Sequence, residues 1–169
     1  DSAWGDATVG QVMDMLVSMR FDEDYMNPNT EVYRYLRSAG MLPPRPGAQD
    51  PSSFYDYLPT VRPKGRHGRV FAYREPNINV LGWLVRRASG VGLAELLSKR
   101  VWQHLGAELD AYFMVDSTGA ETTMSTTLRD FARFGELMRT QGRVGDLQVV
   151  SADVVKDIFG GGDRAKFAA

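Results

Sequence analysis

The sequence predicts a mainly α-helical fold with a few short strands. Several segments repeat apolar residues at helical spacing, which is typical of amphipathic helices. Many of these segments begin at a residue that favours a helix N-terminus and end at a glycine, as Thr127 and Gly142 do. Apolar runs that favour strands are short and occur in only a few places.

The N-terminal part of the chain predicts two helices separated by an acidic loop. Thr8 and Gln11 have the spacing of a capping box, and apolar residues continue at helical spacing as far as Val17. The predicted loop spans 21–28 and contains consecutive carboxylates. The second helix follows this loop and ends near Gly40.

The middle of the chain predicts two further helices. Prolines exclude regular structure over 41–49, and the Asp-Pro pair at 50–51 has the form of a helix start. Residues 70–73 predict a short extended segment. Pro76 then opens the strongest helical pattern of the chain, which Gly90 ends. The predicted apolar stripe of this helix consists of Ile78, Leu81, Leu84 and Val85.

The C-terminal half predicts three more helices and two extended segments. One helical pattern spans 93–105, another begins after Thr127, and Ser151 is the predicted cap of the last. Residues 111–115 predict a strand, and 147–150 predict a brief extended piece. The predicted inward face of the Thr127 helix consists of Leu128, Phe131, Phe134, Leu137 and Met138.

The composition argues against several classes of function. Lys and Arg number 20 and Asp and Glu number 21, so the chain lacks the basic excess of a nucleic-acid-binding protein. There is no Cys, and no apolar stretch has the length of a membrane span. His67 and His104 do not have a metal-ligand spacing. We therefore expect no metal and no cofactor; the absence of Cys favours the cytoplasm, and the oligomeric state is left open.

Residues 71–90 carry the most informative pattern in the sequence. Tyr73 ends an extended segment, Asn77 follows four residues later, and Val-Leu-Gly-Trp leads into an amphipathic helix that ends in Ser-Gly. This pattern resembles the serine β-lactamase and penicillin-binding-protein-like hydrolases. The resemblance is closest to the branch that includes the 6-aminohexanoate-dimer hydrolases and related esterases. The other segments that resemble this family, in the same order, are 8–16, 21–32, 94–116, 126–138 and 149–155.

The resemblance implies a fold and a reaction. Residues 1–169 would be a single partial domain, the helical lobe of an α+β, three-layer β-lactamase/transpeptidase-like fold. The family's serine, in a Ser-x-x-Lys motif, attacks an amide or ester carbonyl, and water releases the acyl-enzyme. No serine in this sequence is followed three residues later by Lys, and no Lys-Thr-Gly-type motif follows Phe159. We therefore expect the nucleophile to lie outside this chain, and the chain alone to be inactive.

Tyr73 matches the tyrosine that shuttles protons with the family's lysine. A phenol has an ordinary pKa of about 10, so a base that works at neutral pH needs this pKa to be lowered. The absent lysine would be the source of that shift. We therefore expect Tyr73 in this chain alone to titrate as an ordinary tyrosine. The alternative is that Tyr73 only anchors the turn into the helix.

Three further residues are candidates for substrate binding. Glu75 occupies the place where many members of the family have Asn; an ionised carboxylate cannot donate a hydrogen bond, which puts β-lactam turnover in doubt. Tyr25 resembles the cleft tyrosine that closes over substrate, and its alternative is a surface aromatic. Asn77 is a candidate for substrate binding, with stabilisation of the helix as the favoured alternative.

Three interpretations of the whole chain remain at this point. The first is part of a serine hydrolase whose partner is a small-molecule amide or ester. The second is a non-catalytic ligand-binding or scaffold module with the same fold. The third is a small regulatory helical protein unrelated to hydrolases, which requires the ordered matches to be chance.

Overall fold

The structure, a computed structural model, describes residues 1–167. Within these residues the chain is mainly helical with four short strands, as the sequence predicts. The helices are α1 (Val9–Met13), α2 (Glu31–Ser38), α3 (Phe54–Tyr57), α4 (Glu75–Ser89), α5 (Leu93–Arg100), α6 (Leu128–Arg139), α7 (Ala152–Gly160) and α8 (Arg164–Phe167). The strands are β1 (Tyr112–Val115), β2 (Glu121–Ser125), β3 (Arg143–Val144) and β4 (Leu147–Gln148). Single 3-10 turns follow α3 and α5, at Leu58–Thr60 and Trp102–His104.

The strands form two separate two-stranded sheets. One pairs β1 with β2, and the other pairs β3 with β4 in antiparallel register, with Val144 opposite Leu147. The sequence predicts β1 and the extended piece that contains β4, but it does not predict β2, whose residues are mostly polar. The described backbone divides into two compact units: the first contains Asp1–Val85, Val115–Thr122 and residues 163–167, and the second contains the other described residues.

An aromatic cluster forms the core of the first unit. The ring of Tyr35 lies with its centroid 5.9 Å from that of Phe21, 5.1 Å from that of Phe54 and 5.7 Å from that of Tyr57. All four side chains are buried. Each aromatic pair of this kind contributes about 0.5–1.5 kcal/mol beyond the burial of its area. This cluster fixes α2 and α3 against Phe21, the first residue of the acidic loop.

The first helix is shorter than predicted. Its capping box is present, because Thr8 Oγ1 accepts from the Gln11 N–H and the Gln11 side chain accepts from the Thr8 N–H. The helix nevertheless ends at Met13, and Met15 adopts a left-handed φ of 56°. The apolar residues up to Val17 therefore continue as an extended segment, which binds a distant part of the chain.

That distant part is the loop between α3 and α4. The Arg20 N–H donates to the Arg62 carbonyl at 2.8 Å, and the Gly68 N–H donates to the Leu16 carbonyl at 2.9 Å. Further along, the Ala72 N–H donates to the Met15 carbonyl at 3.0 Å. These bonds hold residues 15–20 beside residues 62–72. The loop that leads to Tyr73 is therefore fixed along its length.

The predicted helix start at residues 50–51 is wrong. The helix begins after Ser53, whose Oγ accepts from the Asp56 N–H at 3.1 Å. Asp50 instead accepts a 2.6 Å ionic hydrogen bond from Arg37 of α2. Its carboxylate is therefore used by a tertiary contact rather than by a helix N-terminus.

Helix α4 is confirmed in its bounds but not in its buried face. The helix ends before Gly90, which has a left-handed φ of 74°. Its buried residues are Pro76, Asn77, Asn79 and Val80. The predicted stripe residues Ile78, Leu84 and Val85 are exposed. The buried face of this helix therefore contains two amides and differs from the apolar stripe that the periodicity predicts.

A buried carboxylate organises the second unit. Asp130 accepts from the Glu108 N–H at 2.9 Å, from the Thr127 hydroxyl at 2.8 Å and from the Arg133 guanidinium at 2.7 Å. The hydrogen bond from the Glu108 N–H leads the interactions that lower the pKa of Asp130. Of the predicted inward face of α6, Leu137 is buried, whereas Leu128 is 84% exposed and Phe131 is 58% exposed. The prediction for these last two residues is wrong.

Candidate active site

Tyr73 lies two residues before the first residue of α4, at the end of the fixed loop. Its backbone is held because the neighbouring Ala72 N–H bonds to Met15, as described above, and its side chain is 55% exposed. The phenol donates a 2.8 Å hydrogen bond to the carboxylate of Glu75. The structure thus brings together two of the four predicted site residues, in a position that solvent and a ligand can reach.

The pKa of the Tyr73 phenol is raised above its ordinary value. The hydrogen bond to Glu75 is the largest cause, followed by partial burial and by the negative charges of Glu75 and Glu23. A carboxylate acceptor stabilises the protonated phenol. The expectation that Tyr73 titrates as an ordinary tyrosine in this chain is therefore wrong. The shift is also opposite to the one that a base working at neutral pH requires.

Arg74, the next residue, connects Tyr73 to the acidic loop. Its guanidinium forms an ion pair with Glu23, 51 positions earlier in the chain, and both side chains are partly buried. No local pattern predicts this pair, because its partners lie on segments that only the tertiary fold brings together. The pair fixes one end of the loop that carries Tyr25.

Tyr25 lies at the tip of this loop and its side chain is 60% exposed. Its carbonyl accepts a 2.9 Å hydrogen bond from the Tyr33 hydroxyl, and the Met26 N–H bonds to the Asp24 carboxylate at 2.9 Å. These contacts hold the backbone of the loop and leave the Tyr25 ring free to contact a ligand. Tyr25 also contributes to the raised pKa of Tyr73.

Asn77 lies in a different environment from the other candidates. Its side chain is fully buried; Oδ1 accepts from the indole N–H of Trp4 at 2.8 Å, and Nδ2 contacts the sulfur of Met15 at 3.4 Å. Both ends of the amide are thus occupied within the protein. These contacts support the alternative that Asn77 stabilises the start of α4.

Asn79 was not among the predicted site residues, although it lies on the same helix. Its Oδ1 accepts a 2.8 Å hydrogen bond from the buried hydroxyl of Tyr35. Burial is the main reason that the pKa of Tyr35 is raised, and the charges of Glu75 and Tyr73 add to the shift. The hydrogen bond from Tyr35 therefore holds Asn79 of α4 against the aromatic core of the first unit. A second asparagine two residues after the first was the only sequence signal for this contact.

A cavity of about 600 Å³ lies beside the acidic loop in the first unit. Charges of both signs line it; the cations are Arg20, Lys64 and Arg74, and the carboxylates are those of Asp22, Glu23 and Glu31. Its volume is within the range of small-molecule sites, about 300–1,000 Å³. Cavities of this composition can hold a polar ligand that carries charge.

Both histidines have hydrogen-bonding neighbours among the described residues. His67 Nδ1 accepts from the Ser18 N–H at 3.0 Å, and its Nε2 lies 3.1 Å from the Asp6 carboxylate. His104 Nε2 lies 3.4 Å from the amide of Gln103. Within residues 1–167, no group of three or more His, Asp or Glu side chains is placed to hold a metal ion. In the same range no helix has the length and apolar character needed to cross a bilayer.

The chain is similar in sequence and in fold to known proteins. The family model described as Beta-lactamase matches residues 1–158. The 6-aminohexanoate-dimer hydrolase of Paenarthrobacter ureafaciens is 39% identical over 166 residues, which cover 96% of this chain and 42% of that protein. A solved structure from Bacillus anthracis, provisionally named a 6-aminohexanoate-dimer hydrolase, superposes with a TM-score of 0.81 at 31% identity. That match covers 94% of this chain and 45% of the other.

These matches confirm the resemblance carried by residues 71–90 and the β-lactamase-like fold. The chain spans less than half the length of each of the two relatives. A family model that covers almost the whole chain, together with a relative of the same name in sequence and in structure, excludes a chance likeness of isolated helices. The chain belongs to the beta-lactamase family.

Proposed function

We propose that this chain is part of a serine hydrolase that cleaves amide or ester bonds through an acyl-enzyme, with the nucleophile outside these residues. The proposal rests on membership of the family and on the names of its relatives, which are 6-aminohexanoate-dimer hydrolases. The observation that carries it is the exposed phenol of Tyr73, held at the start of α4 by a fixed backbone. The nucleophile is assigned elsewhere because no Ser-x-x-Lys occurs in the sequence.

Tyr73 is the proposed proton carrier. To act as a base, its phenol must lose a proton that the hydrogen bond to Glu75 at present stabilises. A lysine cation beside the phenol would favour the phenolate and would at the same time pair with Glu75. The proton of the attacking serine would then pass to Tyr73, and from there to the leaving group.

Glu75 is the proposed partner of that lysine, not a donor to the substrate. An ionised carboxylate offers only acceptor oxygens, so it can hold an ammonium group but cannot bond to a substrate carbonyl. This role separates the chain from family members that have Asn at the same place. We therefore propose that linear amides or esters are substrates and that β-lactams are poor ones.

Tyr25 is the proposed lid residue. Its loop is anchored at the Arg74–Glu23 pair while its ring extends into solvent. A loop of this kind can close over a bound substrate and exclude water. We do not assign Asn77 to the substrate site, because its amide oxygen accepts from Trp4 and its amide nitrogen contacts Met15.

The test requires the gene on both sides of this segment and the protein that it encodes. If a Ser-x-x-Lys motif lies upstream, we expect that protein to hydrolyse p-nitrophenyl acetate and the 6-aminohexanoate dimer. Tyr73→Phe should then lower kcat by about 10²–10⁴-fold, the usual contribution of a general base. Tyr112→Phe is the matched control, because Tyr112 is an exposed tyrosine of the second unit. Equal rates for the two variants would reject the role of Tyr73.

This chain alone is expected to show no turnover. Without the nucleophile nearly all of the acceleration is lost. Purified residues 1–169 should match a heat-denatured sample on both substrates. Saturable hydrolysis that Tyr73→Phe abolishes would contradict the assignment of the nucleophile to another part of the protein.

A non-catalytic ligand-binding or scaffold module is the second candidate. The observation that favours it is the cavity of about 600 Å³ beside the acidic loop, which has the volume of a small-molecule site. A full reading frame without that motif, encoding a protein that binds an amide without cleaving it, would decide for this candidate.

A further inference from the structure

The loop that carries Tyr25 is ordered by its own side chains. The carboxylate of Asp22 accepts from the Asp24 N–H at 3.0 Å, and that of Asp24 accepts from the Met26 N–H at 2.9 Å. The hydroxyl of Thr30, the residue before α2, donates to the Asp24 carbonyl at 3.1 Å. Side chains that bond to neighbouring backbone groups stabilise a turn locally. The shape of this loop is therefore set largely within the loop itself.

Glu23, within the same run of carboxylates, reaches out of the loop instead. Its carboxylate pairs with the guanidinium of Arg74, just before α4, across 51 positions of sequence. The side chains of Arg74 and Glu23 are 30% and 26% exposed, so the pair is partly shielded from water. Shielding and the planar donors of arginine make such a pair firmer than a contact between two fully exposed side chains. The pair therefore attaches the loop to the start of α4.

The guanidinium of Arg74 also binds the backbone of Tyr73. Its Nη1 group donates to the Tyr73 carbonyl at 3.2 Å, in addition to the Glu23 carboxylate. The Arg74 carbonyl accepts from the Asn77 N–H at 3.0 Å, in the first turn of α4. A guanidinium holds its donors on one rigid plane, so it fixes two acceptors relative to each other. Arg74 therefore sets the position of Glu23 relative to the backbone of Tyr73.

The position of the Tyr25 ring follows from how its loop is attached. The ring is 60% exposed, so packing against the protein does not fix it. On the side of α2, the Asp22 carbonyl accepts from the Val32 N–H at 3.0 Å. On the side of α4, the attachment is provided by the Arg74–Glu23 pair. Loss of this pair should therefore let the loop, and the Tyr25 ring with it, shift relative to the start of α4.

We propose that Arg74 is a positioning residue for the hydrolytic reaction: it acts through the Tyr73 carbonyl and the Glu23 carboxylate to hold the Tyr25 loop in place relative to the proton carrier. The inference rests on the proposed function for the roles of Tyr73 and Tyr25. The role requires no contact between Arg74 and the substrate. A displacement of about 1 Å in a catalytic group can cost on the order of 10²-fold in rate, so a residue that only positions others can have a large effect.

The kinetic test uses the longer protein encoded by the gene, with the 6-aminohexanoate dimer as substrate. Arg74→Gln should lower kcat/KM by about tenfold or more, through a higher KM as well as a lower kcat. A variant that merely folds less completely loses kcat and keeps the KM of the parent protein. Arg37→Gln is the matched control, because it breaks an ion pair with Asp50 in the same unit. An unchanged KM for Arg74→Gln, or an equal rise in KM for Arg37→Gln, would overturn the proposal.

Further variants test whether Arg74 acts through Glu23. Glu23→Gln should cause a similar loss of kcat/KM. The double variant Arg74→Gln with Glu23→Gln should be little worse than either single variant, because both changes break the same contact. Arg74→Lys keeps a cation beside Glu23 and should recover part of the loss. If Arg74→Gln fails to fold, Glu23→Gln and Arg74→Lys carry the same test. Additive losses, or a Lys variant as poor as the Gln variant, would overturn the proposal.

NMR of the ¹⁵N-labelled chain tests the attachment of the loop without catalysis. Arg74→Gln should shift the amide signals of residues 22–26, and Glu23→Gln should shift those of residues 72–74. Arg37→Gln should shift neither set. Unshifted signals in the first two variants would overturn the proposal, because the two segments would then not be joined in solution.

These measurements separate a failure of this inference from a failure of the proposed function. Hydrolysis that Arg74→Gln leaves unchanged, with the NMR shifts present, would reject only the positioning role. A longer protein that hydrolyses neither amides nor esters would reject the proposed function and the positioning role together, even with the NMR shifts present.

Discussion

The two units of the chain are stabilised in different ways. The first buries an aromatic cluster around Tyr35, in which Phe54 and Tyr57 are fully inaccessible. The second buries few large apolar side chains among its described residues and instead encloses the carboxylate of Asp130. Apolar packing depends little on pH, whereas a buried carboxylate stabilises a fold only while it remains ionised and hydrogen-bonded.

The two units also differ in which large side chains they expose to solvent. In the second unit, long apolar side chains of α6 and α7 lie at the surface; they are Leu128, Phe131, Val154, Ile158 and Phe159. In the first unit, the most exposed aromatics include Tyr25 and Tyr73, the two candidates for substrate contact. Amphipathic periodicity thus identifies the helices in both units, but it does not show which faces are covered.

The largest expected effect comes from the aromatic core. Phe54→Ala removes a fully buried ring that stacks on Tyr35, and this should lower the free energy of unfolding by about 3–5 kcal/mol. Phe131→Ala, at an exposed position of the second unit, should change it by about 0.5 kcal/mol or less. Urea denaturation of the two variants tests the contrast directly. Similar losses in both would remove the distinction between the units.

The next largest expected loss of stability comes from the buried amide of Asn77, near the start of α4. Asn77→Ala leaves the indole N–H of Trp4 without an acceptor, which should cost about 1–3 kcal/mol. Gln103→Ala, at an exposed position of the second unit, is the control and should be nearly neutral. Urea denaturation measures both. A neutral Asn77→Ala variant would indicate that its amide is free for another role, including substrate binding.

The pH dependence of stability tests the buried carboxylate of the second unit. The pKa of Asp130 is lowered in the folded chain, chiefly by the Glu108 N–H, so the stability that it supplies is present above its unfolded pKa of about 3.9. That stability should be lost as the pH falls through the lower, folded value. Thermal unfolding of Asp130→Ala should therefore differ most from the parent chain at neutral pH, and least in strong acid.

Asp116 is the matching carboxylate in the first unit. Burial by itself would raise its pKa, but the hydrogen bonds from Thr118, from the Phe54 N–H and from the Ala120 N–H outweigh burial and lower it. Some acid sensitivity should therefore persist in the Asp130→Ala variant. A variant with the same acid dependence as the parent chain would contradict the role given to Asp130.

The smallest effect concerns the titration of Tyr73. Glu75→Gln removes the carboxylate acceptor, so the raised pKa of the Tyr73 phenol should move back toward about 10. NMR titration of tyrosine-labelled protein can follow it, with the exposed Tyr112 as an internal reference. An unchanged Tyr73 pKa would show that the 2.8 Å hydrogen bond is not the cause of the shift.

The sequence by itself determined those features that depend on neighbouring residues. The capping box of α1 formed as predicted, because Thr8 and Gln11 satisfy each other's backbone within one turn. The same holds for the start of α6, where the Thr127 hydroxyl accepts from the Asp130 N–H. Gly142 ends that helix region at a φ of 80°, where an added Cβ would lie 2.0 Å from the Val150 carbonyl oxygen. The family pattern around Tyr73 is likewise contained in one continuous segment.

Only the tertiary structure decided which distant residues form ion pairs and hydrogen bonds with one another. The Arg74–Glu23 pair and the bond from Trp4 to Asn77 join positions that are far apart in the chain. Local periodicity contains no information about such partners, because a side chain's burial depends on what packs against it. For the same reason the sequence could propose Tyr73 as a candidate, but the structure alone showed that Glu75 raises its pKa.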